Sequence, residues 1–243
     1  MIAGKTFANR RGEKLDSAYH EATREGVLVV LAHGVTGNKD RPLLVKLATE
    51  LAARGWPCLR ISYSGNGESG GDFRDATITK ESEDLRDLLD QLPAGLKIAY
   101  IGHSMGGAVG LLTTPLDERI RVLVTLAGMV HTGEFVDREF GEVVPGEGFM
   151  WDDEDCPLSR KYVDDLESIG DLLDEASQLR VPYLLLHGDA DDVVPPSDSE
   201  DAHAAARVKE RDLVVFPGAG HSFEEIGAAE LAAPVDAWLG RYL

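Results

Sequence analysis

Three things are scarce in this chain of 243 residues. Cysteine occurs twice, as Cys58 and Cys156, which gives neither a disulfide framework nor a metal-type spacing. Positive charge is short: 24 Lys and Arg stand against 43 Asp and Glu, for a formal net charge of −19. A surface so anionic is repelled by nucleic acid and by anionic membranes, so neither is expected as a partner. Long apolar runs are missing as well. No window approaches 18 apolar residues, and the opening MIAGKTFANRRGEKLD has no apolar signal-type core. The expectation is a soluble cytoplasmic protein.

What is present fits one domain of ordinary composition, with 43% hydrophobic and 28% charged residues. The acidity is uneven: residues 131–180 hold 15 acidic and 4 basic side chains, more than half of the excess. Short apolar runs alternate with helical patterns. The first sixteen-residue stretch of β character, TFANRRGEKLDSAYHE, reads as a hairpin around Gly12. Strand-like runs follow at 26–33, 57–63, 96–102, 120–128, 181–188 and 212–218, apolar on both sides as buried parallel strands are. Leu85, Leu88, Leu89 and Leu92 share one helical face, and Pro42 opens another helix with Leu43, Leu44, Leu47 and Leu51. This alternation predicts an α/β fold with a doubly wound, mostly parallel sheet and ligands bound outside the carboxyl ends of the strands. Residues 131–180 break the alternation and read as an insertion between two sheet strands, irregular at first and helical from about residue 158.

The chemistry-bearing residues fall just after strands. Gly-His-Ser-Met-Gly at 102–106 lies between a strand and a helical pattern, where glycines two residues either side of Ser104 let the backbone turn tightly. A serine hydroxyl needs a base. Of seven histidines, His221 in the Gly-rich loop FPGAGHSF is best placed to turn inward. His33 and His187 precede glycines at strand ends and suit structural hydrogen bonds, and His103 packs within the turn. An acid must orient the base. Asp189, Asp191 and Asp192 crowd the loop LLLHGDADDVVPP, and spacing alone does not choose among them.

On these stretches, HGVTGNKD, SYSGNGESGGDF, GHSMGG, HGDADDVVP and GAGHSF, the chain resembles the α/β-hydrolases, and within them the small bacterial serine esterases of the cinnamoyl and feruloyl esterase type. The resemblance covers 1–243 as a single α/β-hydrolase domain, with an N-terminal hairpin and 131–180 as a small cap insertion. It implies Ser104 as nucleophile, His221 as base and Asp191 as acid, since the family pattern puts the acid three residues after His-Gly. It also implies an oxyanion hole from the backbone N–H groups of Val35 and Met105, and no cofactor or metal. The expected partner is a small-molecule ester with an uncharged acyl group, aromatic ones included. An amidase or aminopeptidase, a thioesterase, a carbon–carbon bond hydrolase or a non-catalytic binding member share the same layout. Two positions depart from the pattern: Asn66 where histidine is common, and Val35 where an aromatic is frequent. Phe135, Phe149, Met150 and Trp151 of the insertion are candidate substrate-binding residues; their alternative role is to anchor the insertion to the sheet. The run Asp152–Asp155 reads as a solvated acidic face, not a metal loop.

Overall fold

The computed structural model describes residues 2–243. A two-stranded antiparallel ribbon, β1 (Phe7–Ala8) with β2 (Lys14–Leu15), precedes β3 (Ser17–His20). The expected hairpin is therefore split. After Leu15 the chain turns at Asp16, whose carbonyl accepts from Ser62 N–H at 2.8 Å. β3 then leaves the ribbon to become the antiparallel edge of the main sheet, paired with β5 (Cys58–Ile61).

The rest of the sheet is parallel. It comprises β4 (Val27–Ala32), β5, β6 (Lys97–His103), β7 (Ile120–Leu126), β8 (Tyr183–Gly188) and β9 (Arg211–Phe216), in the order β3-β5-β4-β6-β7-β8-β9. Every strand read from the sequence is present within two residues of its expected ends, because each is an apolar run closed by Gly or Pro. The sheet is wound on both faces. In β4, Leu28, Val30 and Ala32 join one core, while Val29 and Leu31 join the other. On the second face lie α1 (Pro42–Ala53) and α8 (Ala228–Tyr242). On the first lie α2 (Ile78–Asp90) and α3 (Met105–Thr113).

Between β7 and β8 the chain forms α4 (Thr132–Phe140), a single 3-10 turn at Met150–Asp152, α5 (Arg160–Ile169) and α6 (Leu173–Gln178). Helix α4 lies in the part that reads as irregular from sequence. Gly133 in its first turn and Gly141 at its end mask the pattern, but Thr132, Phe135, Val136 and Phe140 still form one buried face. α7 (Pro196–Ala205) follows β8. None of the fifteen acidic side chains of 131–180 is buried. No helix among the described residues is long and apolar enough to cross a membrane.

Candidate active site

The carboxyl end of β6 runs straight into α3, and Ser104 sits at the junction. Its φ of 55° and ψ of −122° are strained for a residue with a side chain. The turn exists because its neighbours are glycines: a Cβ on Gly102 would lie 2.1 Å from the Gly106 carbonyl oxygen, and one on Gly106 would lie 2.6 Å from that of His33. The Ser104 main chain is fixed by three bonds: its N–H donates to Leu126 O at 3.0 Å, and its carbonyl accepts from Gly107 N–H at 2.8 Å and from Met129 N–H at 3.1 Å.

After β8 the chain turns and presents Asp191, whose side chain is fully buried. Its Oδ1 accepts from the N–H groups of Val193 and Val194, each at 2.9 Å. Its Oδ2 accepts from His221 Nδ1 at 2.8 Å. A second histidine shares that oxygen: His187 Nε2 stands 3.2 Å from it and 2.9 Å from the Val194 carbonyl. Both acceptors require a proton on His187 Nε2, so its Nδ1 accepts from the Ser199 hydroxyl at 2.6 Å. Burial alone would raise the Asp191 pKa, but the bonds from His187 and His221 and the Val194 N–H outweigh it and hold the carboxyl well below the usual range. Asp189 and Asp192 are exposed, and Asp189 accepts from Gly218 N–H at 2.6 Å. Of the three candidate acids, Asp191 alone bonds a histidine.

The loop after β9 carries His221. With its Nδ1 proton on Asp191, Nε2 is left with the lone pair. His221 and Ser104 line one cavity of about 510 Å³, with Gly34, Val35, Thr36, Arg41, Leu43, Trp151, Val193 and Ser222 among its other walls. Among the described residues the Ser104 hydroxyl has no hydrogen-bond acceptor of its own, an arrangement common before substrate tightens such contacts. The Val35 and Met105 N–H groups likewise have no acceptor among the described residues. Met105 is the first residue of α3, where an amide has no helical partner.

Two further histidines near the site have structural roles. His33 accepts from Tyr63 N–H at 3.1 Å and donates to Gly34 O at 2.8 Å; burial, against the Gly34 bond, pushes its pKa down to about 4. His103 donates to the His221 carbonyl at 3.0 Å and packs on that ring at 4.7 Å. Burial first, then His221, pushes its pKa down to about 3. Asn66 is buried and donates to Ser64 O and Glu81 Oε1, away from the cavity.

The four aromatic and Met candidates separate. Trp151 lines the cavity, 44% exposed, with its indole N–H on Glu139 at 3.0 Å. Phe135 and Met150 are buried in the core at 1% and 2% exposure. Phe149 opens into a different depression, with Arg74 and Arg160. Trp151 is the sole residue of 131–180 at the cavity with Ser104. Asp152–Asp155 are exposed, and no cluster of three or more metal-ligating side chains occurs among the described residues. The cavity residues that sequence reasoning passed over are Thr36, Arg41, Lys46, Val193, Ser222 and Glu224. Their signal was position alone, since each lies close in the chain to a motif already singled out.

A family model described as an alpha/beta hydrolase family matches residues 29–233. An uncharacterized protein of Mycobacterium tuberculosis is 29% identical over 212 residues, 85% of this chain and 67% of that protein. The mitochondrial palmitoyl-protein thioesterase ABHD10 of Bos taurus is 22% identical over 226 residues, 86% of this chain and 71% of its own. The structure of Est1E from Butyrivibrio proteoclasticus with ferulic acid superposes with a TM-score of 0.86 at 23% identity, covering 98% of this chain and 99% of that one.

Proposed function

The chain belongs to the alpha/beta hydrolase family, and from that premise we propose that it is a serine carboxylic-ester hydrolase acting on esters of small uncharged acyl groups, aromatic ones included. The observation that carries this reading is the bond from His221 Nδ1 to Asp191, which leaves Nε2 basic in the cavity that Ser104 also faces.

In this reading His221 Nε2 takes the Ser104 proton as Oγ attacks the ester carbonyl carbon. The carbonyl oxygen becomes negative and is held by the Val35 and Met105 N–H groups, each such donor being worth about 3 kcal/mol in the transition state. The tetrahedral species collapses to an acyl-Ser104 as the alkoxide departs with the proton from His221. Water, deprotonated by the same histidine, then attacks the acyl carbon and frees the acid and Ser104. Asp191 remains ionised throughout, fixing the tautomer and stabilising the imidazolium. The segment 131–180 acts as a cap that brings Trp151 over the cavity. Thioester hydrolysis by the same steps is the second reading, favoured by the similarity to the bovine palmitoyl-protein thioesterase.

The test is labelling with a fluorophosphonate probe, together with hydrolysis of p-nitrophenyl acetate. Ser104 takes the label, and Ser104→Ala loses the label and a factor on the order of 10⁶ in turnover. An unlabelled Ser104, or a Ser104→Ala protein as fast as wild type, would overturn the reading.

A further inference from the structure

The cavity differs in sign from the molecule around it. The chain carries −19, yet the cavity walls hold two cations, Arg41 and Lys46, and one carboxylate, Glu224. Neither cation has a carboxylate within 4 Å among the described residues, although the molecule has acids to spare. Arg41 precedes Pro42 at the start of α1 and is exposed. Its Nη2 donates to Thr36 O at 3.0 Å and Thr36 Oγ1 at 3.2 Å, while Nε and Nη1 have no acceptor among the described residues. Lys46, one turn further along α1, donates to Phe223 O at 2.6 Å and Ile226 O at 3.1 Å, so one of its three N–H bonds is unused among the described residues.

The half of the ester that meets these groups follows from His221. Lys46 holds the main chain two and five residues beyond His221, and Ser222 and Glu224 complete the same wall. His221 must deliver its proton to the departing oxygen, so the wall built on its own loop faces the leaving half. A guanidinium with a free edge there matches a planar or tetrahedral oxyanion.

Resting on the serine-ester reading above, we infer that the leaving half of the substrate carries an oxyanion, a carboxylate or a phosphate, which Arg41 binds with Lys46 beside it, while the acyl half is uncharged. The acids of 131–180 do not oppose this at contact range, because none of them lines the cavity. Glu139, which reaches the cavity wall, is engaged by the Trp151 indole N–H at 3.0 Å and by Arg138 at 3.2 Å.

The experiment compares kcat/KM for 3-acetoxybenzoate, 3-acetoxyphenyl phosphate and the neutral 3-acetoxybenzamide, which share an acyl group and an aryl leaving oxygen. Wild type is expected to favour at least one anionic ester about tenfold over the amide, the value of one charge-assisted contact. Which anion wins identifies the carboxylate or the phosphate. Arg41→Gln should reduce that ratio about tenfold, Arg41→Lys should keep part of it, and Glu224→Gln should raise it. Since Arg41 also holds Thr36, a general loosening of the loop lowers all three esters together and leaves the ratio in place. The ratio therefore reports the anion contact alone. As a check independent of turnover, 3-hydroxybenzoate should protect Ser104 of wild type from the fluorophosphonate better than 3-hydroxybenzamide does, and Arg41→Gln should lose the difference. A wild-type ratio of one or less, or an unchanged ratio and unchanged protection in Arg41→Gln, overturns the inference. Failure of Ser104 to label overturns the hydrolase reading instead.

Discussion

His221 and His187 meet on one oxygen of Asp191, at 2.8 and 3.2 Å. The second contact matters as much as the first, because it comes from a fully buried ring anchored on the other side by Ser199. With the Val193 and Val194 N–H groups on the opposite oxygen, the carboxylate has no freedom to swing. Its low pKa is the electrostatic face of the same packing.

Asp191→Asn keeps the shape and removes the charge. The amide nitrogen would face two ring N–H groups, so His221 must shift tautomer and lose its free lone pair at Nε2. Turnover of p-nitrophenyl acetate is expected to fall on the order of 10⁴, with slower labelling of Ser104. An activity within tenfold of wild type would exclude Asp191 from the role proposed for it.

Gly102→Ala and Gly240→Ala make a matched pair. The first places a Cβ 2.1 Å from a backbone oxygen of the Ser104 turn, whereas the second meets nothing within 4 Å in α8. Urea unfolding should show Gly102→Ala losing several kcal/mol together with Ser104 labelling. Gly240→Ala should gain about 0.5–1 kcal/mol, from helix propensity and a less disordered unfolded chain.

Trp151 and Phe135 touch at 6.5 Å between ring centres but should behave differently. Phe135→Ala empties a core site and is expected to cost about 3–5 kcal/mol. Trp151 is 44% exposed, so Trp151→Ala should cost far less and act chiefly on KM across a series of acyl chain lengths. Equal KM values for the whole series would remove Trp151 from the pocket.

His33 links stability to pH. Its folded pKa near 4 lies below the unfolded value near 6.5, so the unfolded chain binds the proton first. Stability from the neutral ring is therefore lost as pH falls from about 6.5 to about 4, up to about 3 kcal/mol. The advantage of wild type over His33→Gln in urea unfolding should shrink by that amount between pH 7 and pH 4. A constant advantage would mean that the ring is already charged when folded.

The parallel strands were legible because burial on both faces leaves an uninterrupted apolar signature. The elbow was legible because only glycine tolerates the approaches at 102 and 106. Asp191 was reached by family pattern; its selection over Asp189 and Asp192 depends on a turn that buries one of three adjacent acids, which composition does not encode. Two features escaped. β3 reads as half of a hairpin because antiparallel pairing looks the same whichever partner it finds, and here the partner is β5, about forty residues on. The aromatic residues of 131–180 share one composition but face three ways: Phe135 follows the buried face of α4, whereas Phe149 is extended in a bridge to Pro157 and Trp151 turns out at a φ of 49°, which no periodicity encodes.

Among the described residues, six other than glycine adopt positive φ: Thr36, Ser104, Ala127, Trp151, Asp152 and Phe223. Three line the cavity, and Phe223 lies between Ser222 and Glu224, which also do. Each such conformation costs on the order of 1 kcal/mol or more. Phe223 is fully buried against Phe216 and Trp151 packs on Phe140, so lost packing outweighs any relief there. Thr36 and Ser104 are small, and at these two positions Gly relaxes the backbone without emptying a core site. Selection for melting temperature and for Ser104 labelling would therefore pull the codons of the cavity's own floor in opposite directions.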